Sequence, residues 1–253
     1  MLRTRVIPCL LSKEGSLVKT IRFKKFNYIG DPVNTVRIFN ELEVDELMFL
    51  DILASKKNRN IDFELIKDIA DECFMPLSYG GGIKNIDEVQ KIFEIGVEKV
   101  VLNSQAFGNL NLVESIAKKF GNQSIIGSID IKKNFWGRPC VYSHHGTAKQ
   151  KVGPLEWAKK LENSGVGELL ITSIDQEGTW SGFDLDLIKL ISENVRVPVI
   201  ASGGAGCFED IKLAVKTAGA SAVALGSLVV YQKKGMGVLV NFPEEKKLKK
   251  LFE

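Results

Sequence analysis

Eight short apolar runs punctuate the chain: R-V-I-P-C-L-L from Arg5, E-L-M-F-L-D-I from Glu46, P-L-S-Y-G-G-G from Pro76, K-V-V-L-N from Lys99, S-I-I-G-S-I-D from Ser124, E-L-L-I-T-S-I-D from Glu168, P-V-I-A-S-G-G from Pro198 and S-A-V-A-L-G-S from Ser221. Each is short, nearly continuous in its apolar residues and bounded by turn residues, which predicts strands buried on both faces. Between them lie stretches such as D-P-V-N-T-V-R-I-F-N-E-L and D-E-V-Q-K-I-F-E-I-G, whose apolar residues recur at three and four and predict amphipathic helices. Strands alternating with helices give a parallel sheet. Eight such units in 253 residues predict one closed (β/α)8 barrel rather than an open doubly wound sheet. The last stretch, 241–253, is predicted as a C-terminal helix.

The two halves echo each other. Glu46-Leu47 and Glu168-Leu169 stand 122 residues apart, the glycine clusters Gly80-Gly81-Gly82 and Gly203-Gly204 about 123, Asn103 and Gly226 123, and Leu11 and Asp130 119. A near-constant offset across four strand pairs predicts two half-barrels, approximately 1–122 and 123–240.

In each half the third strand runs into glycines and the fourth ends in N-S or G-S. Glycine lets backbone approach a ligand, and amides leading into a helix form an anion site. The paired clusters around Gly81, Gly82, Asn103 and Ser104, and around Gly203, Gly204, Gly226 and Ser227, therefore predict a ligand with a phosphate at each end. A single such cluster would do no more than shape a tight turn. Asp130 ends the fifth strand, where a barrel carries its chemistry, and is the first catalytic candidate. A helix cap or a loop ion pair would use the same residue type. Asp51, Thr172, Glu177 and Ser202 fall at other strand ends and complete the predicted mouth.

Side-chain alternation exposes a second layer. If Asp130 faces the interior, so do Ser128 and Ile126, and equally Arg5, Cys9 and Leu11, Lys99, Val101 and Asn103, and Glu168, Leu170 and Thr172. Arg5, Glu46, Lys99 and Glu168 then meet at the opposite end of the barrel. Two cations and two anions there cost desolvation that apolar side chains would avoid, so they form either a salt-bridged plug or a gate.

Composition excludes more than it assigns. The formal charge is +3, with acids and bases interleaved, and no nucleic-acid footprint stands out. No stretch reaches the roughly 18 apolar residues of a membrane span, the opening M-L-R-T-R-V-I-P lacks a signal-peptide pattern, and the Lys-rich end predicts a solvated helix rather than an anchor. A cytoplasmic protein is expected. Cys9, Cys73, Cys140 and Cys207 are too widely spaced for a zinc site or a disulfide framework, and no metal or cofactor is predicted. His144 and His145 fall in what reads as a long loop, Cys140 to Val152, over the mouth, and Trp180 beside Thr179 is placed to meet a sugar or base.

G-D-P-V at Gly30, D-E-L-x-F-L-D-I from Asp45, Y-G-G-G-I from Tyr79, L-L-I-T-S-I-D from Leu169, G-T-x-S-G-F-D around Thr179 and I-A-S-G-G-A-G from Ile200 carry a resemblance over essentially the whole chain. It resembles the cyclase (synthase) subunit of imidazole glycerol phosphate synthase, a histidine-pathway (β/α)8 barrel that works with a glutaminase subunit. The resemblance implies a lyase-type synthase in a heterodimer, with ammonia from the glutaminase passing the gate Arg5, Glu46, Lys99 and Glu168 to a bis-phosphate at the mouth. It also implies an active-site lysine at Lys19, in the loop after strand one.

That family uses two facing aspartates, at the ends of strands one and five. Here Asp130 is present but Leu11 stands at the other position, and leucine can neither accept nor donate a proton; losing one acid/base group typically costs about 10²–10⁴-fold. Glu14 lies in a loop with the wrong parity to replace it. Glu177 stands where the family usually carries aspartate, and V-V-Y-Q-K-K-G-M-G-V-L-V-N-F-P is an unusual ending. With K-T-I-R-F-K-K-F-N-Y-I-G-D-P from Lys19, these departures resemble a paralogous branch serving acetamidino modification of nucleotide sugars for surface polysaccharide, beside a glutaminase-like subunit and an ATP-dependent sugar amidotransferase. Three readings stand open: an ammonia-delivering or ammonia-using subunit of such a complex, a histidine-pathway synthase, and a non-catalytic barrel that binds a phosphorylated effector and activates a glutaminase.

Overall fold

The computed structural model describes residues 4–252. In chain order its strands are β1 (Arg5–Lys13), β2 (Ser16–Ile21), β3 (Lys24–Gly30), β4 (Leu47–Asp51), β5 (Leu77–Gly80), β6 (Lys99–Leu102), β7 (Ile125–Lys133), β8 (Pro139–Ser143), β9 (Ala148–Lys149), β10 (Glu168–Ser173), β11 (Val199–Ser202) and β12 (Ala222–Leu225). Eight of them, β1, β4, β5, β6, β7, β10, β11 and β12, pair in parallel in that order, and β12 pairs back to β1. The sheet is closed, and the fold is the (β/α)8 barrel that the alternation predicts. The last helix spans Glu245–Phe252.

Helix starts follow local chemistry. Asp31, Asp62, Asn85 and Asp184 each accept the amide three residues on, at 2.9 to 3.2 Å, satisfying an N–H that the first helical turn would leave unpaired. These caps begin helices over Pro32–Glu41, Phe63–Glu72, Ile86–Ile95 and Leu185–Ser192. Their apolar stripes pack on the outward strand residues, for example Val36 and Phe39 with Leu47, all fully buried in one outer core.

The barrel interior is a separate core: Ile7, Cys9, Met48, Val101, Ile126, Leu170, Ile200, Ala222 and Ala224, flanked by Leu11 and Leu50. Every strand residue of this set lies on the inward parity, so alternation along the chain sorts the side chains into two cores. A one-residue slip of any strand would exchange them.

Two strands on opposite sides of the barrel, β1 and β7, run past its rim into antiparallel extensions, β1 into β2 and β3 and β7 into β8 and β9. Two expectations are corrected here. Lys19 is not in a loop but on β2, and the stretch from Cys140 to Val152 is not a long loop but holds the rest of β8, a turn at His144 and His145, and β9.

Candidate functional site

At the N-terminal end of the strands four charged side chains close a ring. Arg5 donates to Glu46 at 2.6 Å and to both oxygens of Glu168 at 3.2 and 2.7 Å, and Lys99 donates to Glu46 at 3.0 Å and Glu168 at 2.9 Å. The Ser78 hydroxyl adds a bond to Glu46 at 3.1 Å. Burial by itself would raise the Glu168 carboxyl, but the hydrogen bonds and charges of Arg5 and Lys99 outweigh it and hold the group below the usual carboxylate range. The structure thus brings together all four residues that alternation assigns to this end.

The opposite end, at the strand C-termini, opens into a mouth lined by residues from all eight barrel strands or the segments that follow them. Asp130 sits in its wall. Burial raises its carboxyl to about 7, the neighbouring Asn103 amide pulling it down and the Glu177 charge pushing it further up. A carboxyl near 7 can both take and give a proton at neutral pH. Leu11 lines the same mouth from β1, across the barrel from β7, so no acid faces Asp130 from that strand.

Lys19 reaches the mouth from β2 and is buried, 3% exposed. Its ammonium donates to the Cys9 carbonyl at 2.6 Å and lies where a side chain on Gly226 would touch it, 2.8 Å from the position of an added Cβ. Burial lowers its pKa, against the attraction of Cys9 and Glu177. The Cys9 thiol is pushed up by burial to about 11, which leaves it a neutral wall. Glu177 accepts from the Thr20 hydroxyl at 2.9 Å and the Phe23 amide at 3.3 Å, both through Oε2. Burial raises its pKa. Glu177 therefore ties the β2–β3 hairpin to the mouth.

The two predicted anion clusters share a backbone shape. Asn103 (φ −125°, ψ −88°) and Gly226 (φ −104°, ψ −91°) each precede a short helix, Ser104–Gly108 and Ser227–Val230, and neither helix start carries a side-chain cap. Uncapped amides of two matching turns thus face one mouth. The Asn103 amide is buried beside Asp130, and its Oδ1 has no hydrogen-bond partner among the described residues, a state that a bound polar group would relieve. The glycines also answer a steric demand. Gly204 has φ +112°, and a Cβ on it would collide with the Gly182 carbonyl, so the turn requires glycine with or without a ligand. Gly81, Gly82 and Gly203 have positive φ as well.

Thr172 and Ser202 line the mouth as expected. Asp51 also lines it, but its carboxylate is committed: Arg59 donates to both oxygens at 2.9 Å and the amides of Leu53 and Ala54 donate to Oδ1. It orders the turn after β4 rather than offering a free acid. Glu14, in a left-handed turn, is ion-paired to Lys57 and does not line the mouth.

The sequence did not single out Phe23, which lines the mouth from the turn between β2 and β3. His145 stacks on it, with Phe26 on a second contact at 5.7 Å. His144 turns away, its amide donating to the Ser104 hydroxyl at 2.9 Å.

The molecule is thus a (β/α)8 barrel whose polar groups converge on the end where such barrels place their sites. Comparison with known proteins defines it further. The chain belongs to the histidine biosynthesis protein family, whose model matches residues 5–235. It is 52% identical over 248 residues to the "Putative imidazole glycerol phosphate synthase subunit hisF2" of Pseudomonas aeruginosa, covering 98% of this chain and 99% of the relative. It is 44% identical over 254 residues to the subunit "hisF3" of the same description from Vibrio vulnificus, covering 100% and 98%. To the "Imidazole glycerol phosphate synthase subunit HisF" of Hydrogenobaculum it is 42% identical over 245 residues, 97% of each chain.

Proposed function

We propose that this chain is the barrel subunit of a glutamine amidotransferase, receiving ammonia from a glutaminase docked at the N-terminal face and carrying it to the mouth at Asp130. The observation behind this reading is the closed ring of Arg5, Glu46, Lys99 and Glu168 under an apolar interior that opens at the other end on a titratable carboxyl. Ammonia is small and uncharged, so an apolar bore passes it while ions stay out. The ring acts as the gate. The turns at Asn103 and Ser104 and at Gly226 and Ser227 hold the phosphates of a ligand, with Lys19 between them and Asp130 as the proton-transfer group.

Leu11 directs the reading away from histidine biosynthesis. With one acid/base group absent from the mouth, the ammonia serves acetamidino modification of a nucleotide sugar for surface polysaccharide, in concert with an ATP-dependent sugar amidotransferase. The same leucine favours one other reading, a barrel that binds a phosphorylated effector and activates the glutaminase without turnover of its own.

The test is conversion of the histidine-pathway ribulosyl nucleotide with excess ammonium salt, comparing the native protein with Leu11→Asp. The native protein is expected to be inert and Leu11→Asp to gain turnover. Enzyme-like turnover by the native protein would return the chain to the histidine pathway.

A further inference from the structure

Charge is segregated along this chain in a way its net value hides. Residues 12–30 and 131–151, which form the two hairpin extensions, hold ten of the 34 Lys and Arg and one of the 31 Asp and Glu, Glu14, which is paired with Lys57; the rest of the chain, with 24 cations against 30 anions, carries a net −6. Lys19 is buried in the mouth, Lys133 pairs with Asp184 at 2.7 Å and Arg22 donates to the Asp175 carbonyl. The other seven, Lys13, Lys24, Lys25, Lys132, Arg138, Lys149 and Lys151, make no ion pair among the described residues.

Aromatic rings are exposed among these cations. Phe135 is 94% exposed and Trp136 79%, packed edge to face on each other at the turn between β7 and β8, and Tyr28 on β3 is 68% exposed. At about 3.3 Å per residue, the Phe135–Trp136 turn stands roughly 15 Å beyond Asp130, clear of the barrel rim. Neither ring supports the fold there.

We propose that the two hairpins form a docking collar around the mouth for a partner protein with an acidic face, Trp136 and Phe135 serving as its anchors. Trp, Tyr, Phe and Arg are the side chains that concentrate binding energy at protein interfaces, and a collar whose one acid, Glu14, is already paired, beside a net-negative body, steers an acidic surface to this end of the molecule. An anionic membrane would meet the same charges but, laid across both hairpins, would seal the mouth from water-soluble ligands. This part of the choice rests on the mouth being the working end of the barrel. The proposed glutaminase belongs at the opposite face, so the collar calls for a second partner.

A photo-crosslinking amino acid placed at Trp136 of the full chain in its native cells tests the collar, with the same probe at exposed Glu98, beside the ring, reporting on the opposite face. The expected result is a dominant adduct at 136 that is absent at 98. The captured protein, once identified and purified, should bind the native chain at least tenfold more tightly than Lys132→Glu/Arg138→Glu or Trp136→Ala, and lose affinity as salt rises. Lys132 is half-buried near the end of β7, and Trp136 and Arg138 are exposed in the connection to β8, so circular dichroism of the variants should match the native chain. No adduct at 136, or an adduct whose affinity is indifferent to both variants, overturns the proposal. Co-sedimentation with phosphatidylglycerol vesicles but not phosphatidylcholine vesicles, lost in Lys132→Glu/Arg138→Glu, would overturn it in favour of a lipid surface. A glutaminase adduct at 98 stands or falls separately and tests the proposed ammonia source.

Discussion

Phe23 and His145 lie face to face, their ring centroids 4.9 Å apart and their planes 7° from parallel. One belongs to the extension of β1 and the other to that of β7, so this stack, with the Phe26–His145 contact beside it, joins hairpins that rise from opposite sides of the barrel and roofs part of the mouth. Burial, aided by the Lys56 charge, pushes the His145 imidazole down to about 4. The stack is therefore built on neutral imidazole.

Its pH dependence has a definite sign. The folded-state pKa lies below the unfolded value of about 6.5, so the contribution of His145 is complete above pH 6.5 and declines as pH falls toward 4. Hydrogen exchange at the β2–β3 and β8–β9 amides should quicken together over that window in the native protein. In Phe23→Ala it should be fast throughout, with a stability loss of about 1 kcal/mol or more from the lost aromatic pair and its buried area. Hairpins that loosen independently would contradict the link.

The ring at the other end should be intolerant of a missing acid. Glu46 is 2% exposed and serves Arg5, Lys99 and Ser78. Glu46→Ala leaves two cations short of a partner in a partly buried site, and breaking such an arrangement costs about 3 kcal/mol. Urea unfolding should show the loss as a lower midpoint with an unchanged slope.

Asp130 should titrate near 7 by carbon-detected NMR of its carboxyl. Glu177→Gln removes a neighbouring negative charge and should move that titration downward; an unmoved value would separate the two groups. Because the folded carboxyl holds its proton more tightly than the unfolded one, the group opposes folding as pH rises through 7. Asp130→Asn should thus stabilise the protein at pH 8, by on the order of 1–3 kcal/mol, while leaving it little changed at pH 4.

Gly226→Ala places a methyl 2.8 Å from the Lys19 ammonium, on a backbone (φ −104°, ψ −91°) close to the one that Asn103 adopts with a side chain in the matching turn. The flexible lysine end gives way, so stability should change by less than about 1 kcal/mol. Binding of inorganic phosphate or a sugar phosphate, followed by calorimetry, should weaken about tenfold or more. Unchanged binding would remove Gly226 and Lys19 from the ligand site.

Alternation made the ring and the inward face of Asp130 legible, because strand parity is local and a period of two leaves only one alternative. The glycine turns were legible for a similar reason: positive φ selects glycine in the sequence itself. The hairpins were not. The turns at Arg22–Phe23 and His144–His145 place non-glycine residues at φ between 52° and 57°, residue types that do not announce such a bend; at the second pair only the following Gly146, at φ 70°, hints at it. Lys19 was misplaced in a loop because the strand carrying it depends on that unannounced turn. The commitment of Asp51 was hidden too, since it depends on Arg59 folding back across a helical turn to reach both its oxygens.

The four ring members are not equivalent. If Lys99 withdraws, Glu46 keeps Arg5 on one oxygen and Ser78 on the other, and Glu168 keeps a guanidinium nitrogen on each. If Arg5 withdraws, Glu46 Oε2 and Glu168 Oε2 lose the only donors they have among the described residues. The ring is redundant at the lysine and rigid at the arginine: one side chain is the hinge pin and the other the bolt, and opening this end of the barrel strands no carboxylate so long as it is Lys99 that moves.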